Sequence, residues 1–320
     1  MKIMVSACLA GENCKYDGGN NKNERVLKLL EGNESILVCP EQMGGLPTPR
    51  LASEVCNGIV TRKDGRIVDE EFRSGAQKCL EIALDKLPDL IVLQSRSPSC
   101  GVKQRYDGTF TGTLTGKPGV TAQLLMENGF RVMDVEDLLV TDRLFLRKWD
   151  RSDAEDLYRY AKDPDVGPIA GWPAHQSVDE SRDVIQNVLT GKQAYAICRK
   201  TENKTIGAIE LKLKGHTDLT DREDECELGF WIGKPFWGQG FMPEAAGELI
   251  RHGFEDLGMN KIWCAYYDGN VKSKRVQEKC GFRYQWTSQD VDVPLMHEKR
   301  IGHVNCLTRE EWLGDHPDHS

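Results

Sequence analysis

Three short apolar runs, "KIMVSAC", "SILVC" and "DLIVLQSRSPSC", lead to cysteines that stand before or within loops of Gly, Pro and Ser. Runs of this length, bounded by turn residues, suit buried strands better than helices. Between them, "NERVLKLLEG" has helical spacing and a Gly stop, and "DEEFRSGAQKCLEIALDKL" sets Phe72, Ala76, Leu80 and Ala83 on one helical face. "TAQLLMENGF" and "RVMDVEDL" supply another helix and strand. Strands alternating with helices favour a parallel sheet with crossover helices, so the fold class is α/β.

The pattern changes after about Leu139. "VTDRLFLRKWD" alternates as a strand, "SDAEDLYRYAKD" opens a helix with Ser152 as its cap, and "QAYAICRK" followed by "TIGAIELKLK" reads as an antiparallel pair. The strand "ECELGFWIG", the helix "MPEAAGELIRHGFEDLG", the strand "KIWCAYYD" and the helix "KSKRVQEKCGF" follow, which makes a second, mixed-sheet α/β domain. The expected division is 1–139, 140–313 and a frayed tail, 314–320.

With 320 residues, either half is long enough to bury a core. Acidic residues outnumber basic ones, 50 to 42. This balance offers no general attraction to nucleic acid or anionic membrane, although a local basic groove, and with it a nucleic-acid substrate, stays open. No apolar run approaches the roughly 20 residues of a membrane span. "VSAC" has the look of a lipoprotein cleavage box, but the charged and apolar regions of a signal peptide are lacking before it. The expected location is cytoplasmic. Of 11 cysteines none forms a C-x-x-C pair, which weakens zinc-ribbon and thioredoxin-like readings.

Cys8, Cys39 and Cys100 each follow the carboxyl end of an expected strand, where ligands of open parallel sheets gather. They could be small buried hydrophobes, three thiolates of a zinc site with a water, or ligands of an iron–sulfur cluster with one iron left open. "SACLAGENCKYDGG", "VCPEQMGGLPTPR" and "SRSPSCGVKQRYDGTFTGTLTGKPGVTAQLL" resemble the 2-thiouracil desulfidase family over about residues 1–138. That resemblance implies a [4Fe–4S] cluster on Cys8, Cys39 and Cys100, with the fourth iron taking the sulfur of a thiolated nucleobase-like substrate. Glu41 and Ser97, in the matching segments, are the candidates for positioning or deprotonating water, with Asp17 and Ser99 in reserve; each would otherwise be a loop or turn residue. Cys14 would be a fourth ligand or a neighbouring thiol, Cys79 a structural thiol within its helix.

In the second half, "GKPFWGQGFMPEAAGELIRHGF" puts Gly238 and Gly240 just before a helix, where backbone N–H groups can hold a pyrophosphate. Together with "ECELGFWIG", "YYDGNVKSKRVQEKCGF", "TDRLFLRKWDRSDAEDLY" and "TIGAIEL", this segment resembles the GNAT acetyltransferases, of the ribosomal-protein-alanine type, over about residues 140–313. The resemblance implies acetyl-coenzyme A between two splayed strands, with its pyrophosphate on the amides of Trp237, Gly238, Gln239, Gly240 and Phe241 and with Asn270 on the cofactor. Pro235 departs from the Gln or Arg usual at the first position of that motif. Amine attack on a thioester needs a base and benefits from a donor at the leaving thiolate. Glu227 is the candidate base, with Glu225, two residues away on the same face, in reserve; Ser273 is the candidate donor. Glu227 could instead be a strand residue paired across the sheet. Trp172 and His175 lie in a loop that would line an acceptor site or merely pack.

The expectation is therefore a bifunctional enzyme: desulfuration of a thiobase or related sulfur compound, and acetyl transfer to an amine on a small molecule or protein N-terminus. The alternative is a protein that senses redox state through a closed cluster and binds acetyl-coenzyme A without turnover.

Overall fold

The computed structural model describes residues 1–316. The chain divides into two compact units, Met1–Val140 with Lys200–Asn203, and Thr141–Arg199 with Lys204–Ser320.

The first unit contains β1 (Lys2–Ser6), α1 (Glu24–Leu30), β2 (Glu34–Val38), the one-turn helix α2 (Pro40–Met43), β3 (Ser53–Cys56), β4 (Ile59–Arg62), α3 (Asp69–Lys86), β5 (Leu90–Leu93), β6 (Arg105–Tyr106), β7 (Leu114–Thr115), α4 (Val120–Glu127), β8 (Val132–Asp134) and β9 (Leu139–Val140). Its main sheet runs β2-β1-β5-β8 with every pair parallel, as the alternation requires. β5 is buried at all four positions, the pattern of a strand covered on both faces. Met4, Val38, Cys79, Leu80, Ala83, Ile91 and Leu93 share one core with Ala122 and Leu125 of α4. Asn23 Oδ1 caps α1 by accepting from the Val26 amide. The β3–β4 hairpin turns through Asn57 and Gly58, both at positive φ, the conformation that matches hairpin twist.

The second unit contains β10 (Leu144–Arg147), α5 (Ala154–Ala161), α6 (Val178–Asn187), β11 (Ala194–Arg199), β12 (Thr205–Lys212), β13 (Glu225–Ile232), α7 (Phe241–Arg251), β14 (Lys261–Tyr267), α8 (Val271–Lys279), β15 (Arg283–Val293), β16 (Glu298–Thr308) and α9 (Arg309–Asp315). Strands β10 to β16 form one mixed sheet in the order β15-β16-β14-β13-β12-β11-β10. All neighbours are antiparallel except β13 and β14. That parallel pair is in register only from Glu225 opposite Lys261 to Glu227 opposite Trp263, yet both strands run on beyond it. The sheet therefore opens after Glu227. Arg147 and Asp153 form a fully buried bidentate ion pair that ties β10 to the turn before α5.

Three local expectations differ from the structure. Asp150, not Ser152, caps the turn before α5: its carboxylate accepts from the Ser152 amide and hydroxyl, and Asp153 returns a bond to the Asp150 amide. The helix beginning near Met242 ends at Arg251 and continues as a π-helical turn, His252–Asp256, in which His252 Nδ1 meets Asp256 Oδ2 at 2.8 Å. Gly314 and Asp315 of the expected tail belong to α9, which Thr308 and Glu311 cap reciprocally; residues 317–320 lie outside the described residues.

Candidate functional sites

Cys8, Cys39 and Cys100 follow β1, β2 and β5, three strands adjacent in the sheet. Crossovers run from β1 to one side and then to the other, so this is where the strand order reverses and where parallel sheets bind ligands. Cys8 sits in a 3₁₀ turn, Ala7–Ala10, closed by Gly11 at φ 99°, and Cys39 immediately precedes α2. The loop around Cys100 is fixed by α4: the amides of Gly119, Val120 and Thr121 donate to the carbonyls of Gly101, Pro98 and Ser99 at 2.7, 3.0 and 2.9 Å. The open N-terminus of one helix thus holds the cysteine loop.

Cys14 is the thiol that draws the group together. It is buried and in hydrogen-bond contact with both Cys39 and Cys8; the first contact pulls its thiol down, while Cys8 and burial raise it, leaving it at about 11. Cys39 Sγ also donates to the Cys14 carbonyl at 3.7 Å, and its contact with Cys14 followed by burial pushes its thiol far above the ordinary range. Cys100 is pushed up by burial against a lowering contact with Ser6, with the charges of Cys79, Glu41 and Cys39 adding to the rise. Cys79 lies inside α3 against Met43 Sδ at 3.7 Å and serves packing. Cys14 and Cys39 line a cavity of about 270 Å³ that also touches Asn13, Gln42 and Met43.

Among the described residues, no three His, Cys, Asp or Glu side chains already stand together as a ready metal-ligating group. The donor set nevertheless fits a thiophilic cationic group. Cys14, Cys39 and Cys100 all have raised thiols and lie at neighbouring strand ends, and a strong local positive charge is what would hold such groups as thiolates.

Glu41 projects from α2 beside these cysteines. Arg50 Nε donates to Glu41 Oε2 at 2.7 Å, and Arg50 Nη2 donates to the Cys14 carbonyl at 3.1 Å, so one guanidinium fixes both segments. Burial raises the Glu41 carboxyl and Arg50 opposes the rise. Ser97 holds the Cys100 loop: its Oγ accepts from the amides of Ser99 and Cys100 at 3.1 and 3.0 Å, which leaves its own proton to donate. Ser99 is buried on Thr121, and Asp17 is an exposed turn residue lowered by Lys15.

In the second unit a cavity of about 1690 Å³ occupies the opening between β13 and β14. Trp237, Gly238, Gly240 and Phe241 line it, as do Asn270 and Ser273, while Gln239 turns back and donates from Nε2 to the Pro235 carbonyl at 2.7 Å. Gly238 and Gly240 stand at φ 74° and 78°, and space around Gly238 is open. These angles are strained for any side chain and turn successive amides toward one point. Arg143 braces the loop: Nη1 donates to the Gln239 carbonyl at 2.9 Å and the guanidinium lies 4.4 Å from the Phe241 ring centroid. Asn270 caps α8 through the Ser273 amide, and Ser273 Oγ accepts from Gln277 Nε2 at 3.2 Å.

Glu227 also faces the cavity, and it is paired across the sheet. Its Oε1 accepts from Lys212 Nζ at 2.9 Å and its Oε2 from Thr217 Oγ1 at 2.5 Å. Neither partner stood out in the sequence; the only signal was that β12–β13 pairing sets Lys212 opposite Glu227. Glu225, its proposed reserve, instead accepts from Thr220 and Trp263 and pairs with Arg222 and Lys261 at the closed end of the sheet. Trp172 lines the cavity; His175 is buried on Ser181, and burial lowers its pKa, so it packs.

Comparison with known proteins agrees with this division. The profile of a family described as 2-thiouracil desulfurase matches residues 3–137, and that of the acetyltransferase (GNAT) domain matches residues 143–283. The uncharacterized protein YbbK of Bacillus subtilis is 35% identical over 146 residues, 42% of this chain and 97% of its own. The uncharacterized N-acetyltransferase p20 of Bacillus licheniformis is 29% identical over 188 residues, 56% of this chain and 99% of its own. Among solved structures, a [4Fe-4S]-dependent thiouracil desulfidase, TudS, is 37% identical with a TM-score of 0.41, covering 42% of this chain and 91% of its own. The chain thus carries a 2-thiouracil desulfurase-family domain in its first half and a GNAT acetyltransferase domain in its second.

Proposed function

We propose that the chain is a bifunctional enzyme in which the first unit removes sulfur from a thiolated nucleobase-like substrate and the second transfers acetyl from acetyl-coenzyme A to an amine. The observation that supports the first half is that Cys8, Cys39 and Cys100 each follow the carboxyl end of one of three adjacent parallel strands, at the reversal of strand order. Those three cysteines would hold a [4Fe–4S] cluster, and when bound with one iron open such a group supplies a soft acceptor for the substrate's sulfur. The chain's own part is proton handling. Glu41, oriented by Arg50 and raised by burial, takes a proton from the water that attacks the thiocarbonyl carbon. Ser97 keeps the Cys100 loop in place and offers its hydroxyl proton.

In the second unit, the amides from Trp237 to Phe241 would hold the pyrophosphate and Asn270 the cofactor's arm. Glu227, held in place by its ion pair with Lys212, accepts the amine proton, and Ser273 donates a hydrogen bond to the leaving thiolate. Substitution Glu227→Gln should abolish acetyl transfer while acetyl-coenzyme A still binds; full activity in that variant would remove Glu227 from the mechanism.

The contacts of Cys14 with Cys8 and Cys39 favour a second reading of the first unit, a closed cluster with a sensing role. Iron, sulfide and zinc content and visible absorption, measured anaerobically before and after 2-thiouracil, decide between the two. About four irons retained in Cys14→Ser, with a spectrum that changes as uracil forms, supports the desulfidase. Iron lost with Cys14 and a spectrum indifferent to thiouracil supports the sensor.

A further inference from the structure

The cavity of the second unit contains a carboxylate that neither cofactor binding nor the base employs. Glu210 stands on β12, two residues before Lys212 and so on the same face, opposite Gly229 of β13 and Ala194 of β11. It lines the cavity. Glu227 spends both of its oxygens on Lys212 and Thr217, and the ion pair of Lys212 goes to Glu227. Glu210 has no hydrogen bond and no ion pair among the described residues; it feels Lys212, His216 and Lys148 only at a distance, and burial raises its carboxyl.

The backbone makes room for this unpaired group. A Cβ on Gly191, in the turn before β11, would stand 1.9 Å from Glu210 Oε1. Only a residue without a side chain lets that turn lie against the carboxylate. A half-buried carboxylate without a donor is costly in the free protein, and a ligand that brings the donor recovers that cost. Beside it on the same sheet face stands Trp231, opposite Ala208, with Trp172 edge-on at a centroid distance of 5.7 Å.

We infer that Glu210 anchors the acetyl acceptor: its carboxylate receives the ammonium group of a cationic primary amine whose apolar or aromatic body lies along Trp231 and Trp172. This rests on the acetyltransferase reading of the second unit and adds the chemical class of the acceptor. An ammonium satisfies the unpaired carboxylate, whereas an anionic or neutral acceptor leaves it unpaired. Glu227 remains the proton acceptor, so the two carboxylates divide recognition from chemistry.

The test is calorimetric titration of phenethylamine hydrochloride into the full chain saturated with coenzyme A, the thiol product, so that no turnover occurs. The wild type should bind the ammonium, and Glu210→Gln should weaken it by about tenfold or more. Gly191→Ala, which displaces the carboxylate, should act in the same direction. The neutral isostere 2-phenylethanol should bind weakly and alike in all three. Equal phenethylammonium affinity in wild type and Glu210→Gln, an alcohol bound as tightly as the ammonium, or no saturable binding of the ammonium by the wild type overturns the assignment. A separate titration with acetyl-coenzyme A keeps the parent reading distinguishable: its binding should be unchanged in Glu210→Gln, and its failure in the wild type refutes the acetyltransferase reading itself and this assignment with it.

Discussion

The helix that carries Glu41 is positioned by a contact between two glycines, and that contact yields a quantitative test. A Cβ on Gly75 of α3 would lie 1.9 Å from the Pro40 carbonyl oxygen, 2.7 Å from its carbon and 3.0 Å from the Gly44 nitrogen; a Cβ on Gly44 would lie 1.9 Å from the Glu71 oxygen. A carbon and a carbonyl oxygen approach to about 3.3 Å at best, so Gly75→Ala must drive α2 more than about 1 Å from α3. Backbone cannot rotate away as a side chain can, which places the cost near the upper end of overpacking, about 3 kcal/mol. Alanine returns about 1 kcal/mol through helix propensity. The net loss of about 2 kcal/mol should lower the melting temperature of the first unit by roughly 4–8 °C. Calorimetry reads both units, while all seven tryptophans lie at or beyond Trp149, so tryptophan fluorescence follows the second unit alone and should not move. Gly247, mid-helix in α7 with nothing within 4 Å of its Cβ position, is the control: Gly247→Ala should stabilise by about 0.5–1 kcal/mol. An unchanged or higher melting temperature in Gly75→Ala would refute the packing argument.

Other outcomes follow from single contacts. Asp153→Ala leaves Arg147 buried without its bidentate partner and should cost the second unit about 3–5 kcal/mol, read as an earlier urea transition by tryptophan fluorescence. His175 has its pKa lowered by burial, so below the ordinary value of 6.5 the unfolded chain binds a proton that the folded chain refuses. Its contribution is complete above pH 6.5 and is lost as the pH falls below it; His175→Gln should flatten that part of the stability profile. Gly238→Ala meets no atom yet must adopt φ near 74°, so it should weaken acetyl-coenzyme A binding measured by titration while the amine site is untouched. An affinity equal to wild type would mean that the loop does not hold the pyrophosphate in this conformation.

Much of the architecture was legible because it rests on local pattern. Alternating apolar runs and amphipathic helices imposed the parallel order of β1, β2, β5 and β8, and the change near Leu139 marked where that order stops. The β3–β4 hairpin is absent from the sequence expectations: its turn signal, Asn57–Gly58, stands between two strands of only four residues each. The capping of α5 was misjudged because Ser152 and Asp150 are both good caps, and the choice between them depends on Asp153 bonding back, which is a matter of geometry.

The candidate sites divide along the same line. Candidates set by backbone placement, the three strand-end cysteines and the Gly238–Gly240 turn, are visible in the sequence because strand ends and glycines before helices announce themselves. Candidates whose role depends on pairing are not. Glu225 and Glu227 are equivalent in sequence, two apart on one strand face, yet β13 and β14 stay paired only through Glu227, so Glu225 is locked among Lys261, Arg222 and Trp263 while Glu227 stands where the sheet opens. Lys212 pairs with Glu227, and among the described residues Glu210 has no ion-pair partner of its own. The prediction that separates the three is kinetic. Glu225→Gln should cost stability with kcat preserved, Glu227→Gln should remove kcat, and Glu210→Gln should raise the amine KM far more than it lowers kcat. Identical effects of the last two would show that recognition and proton transfer are not divided between them.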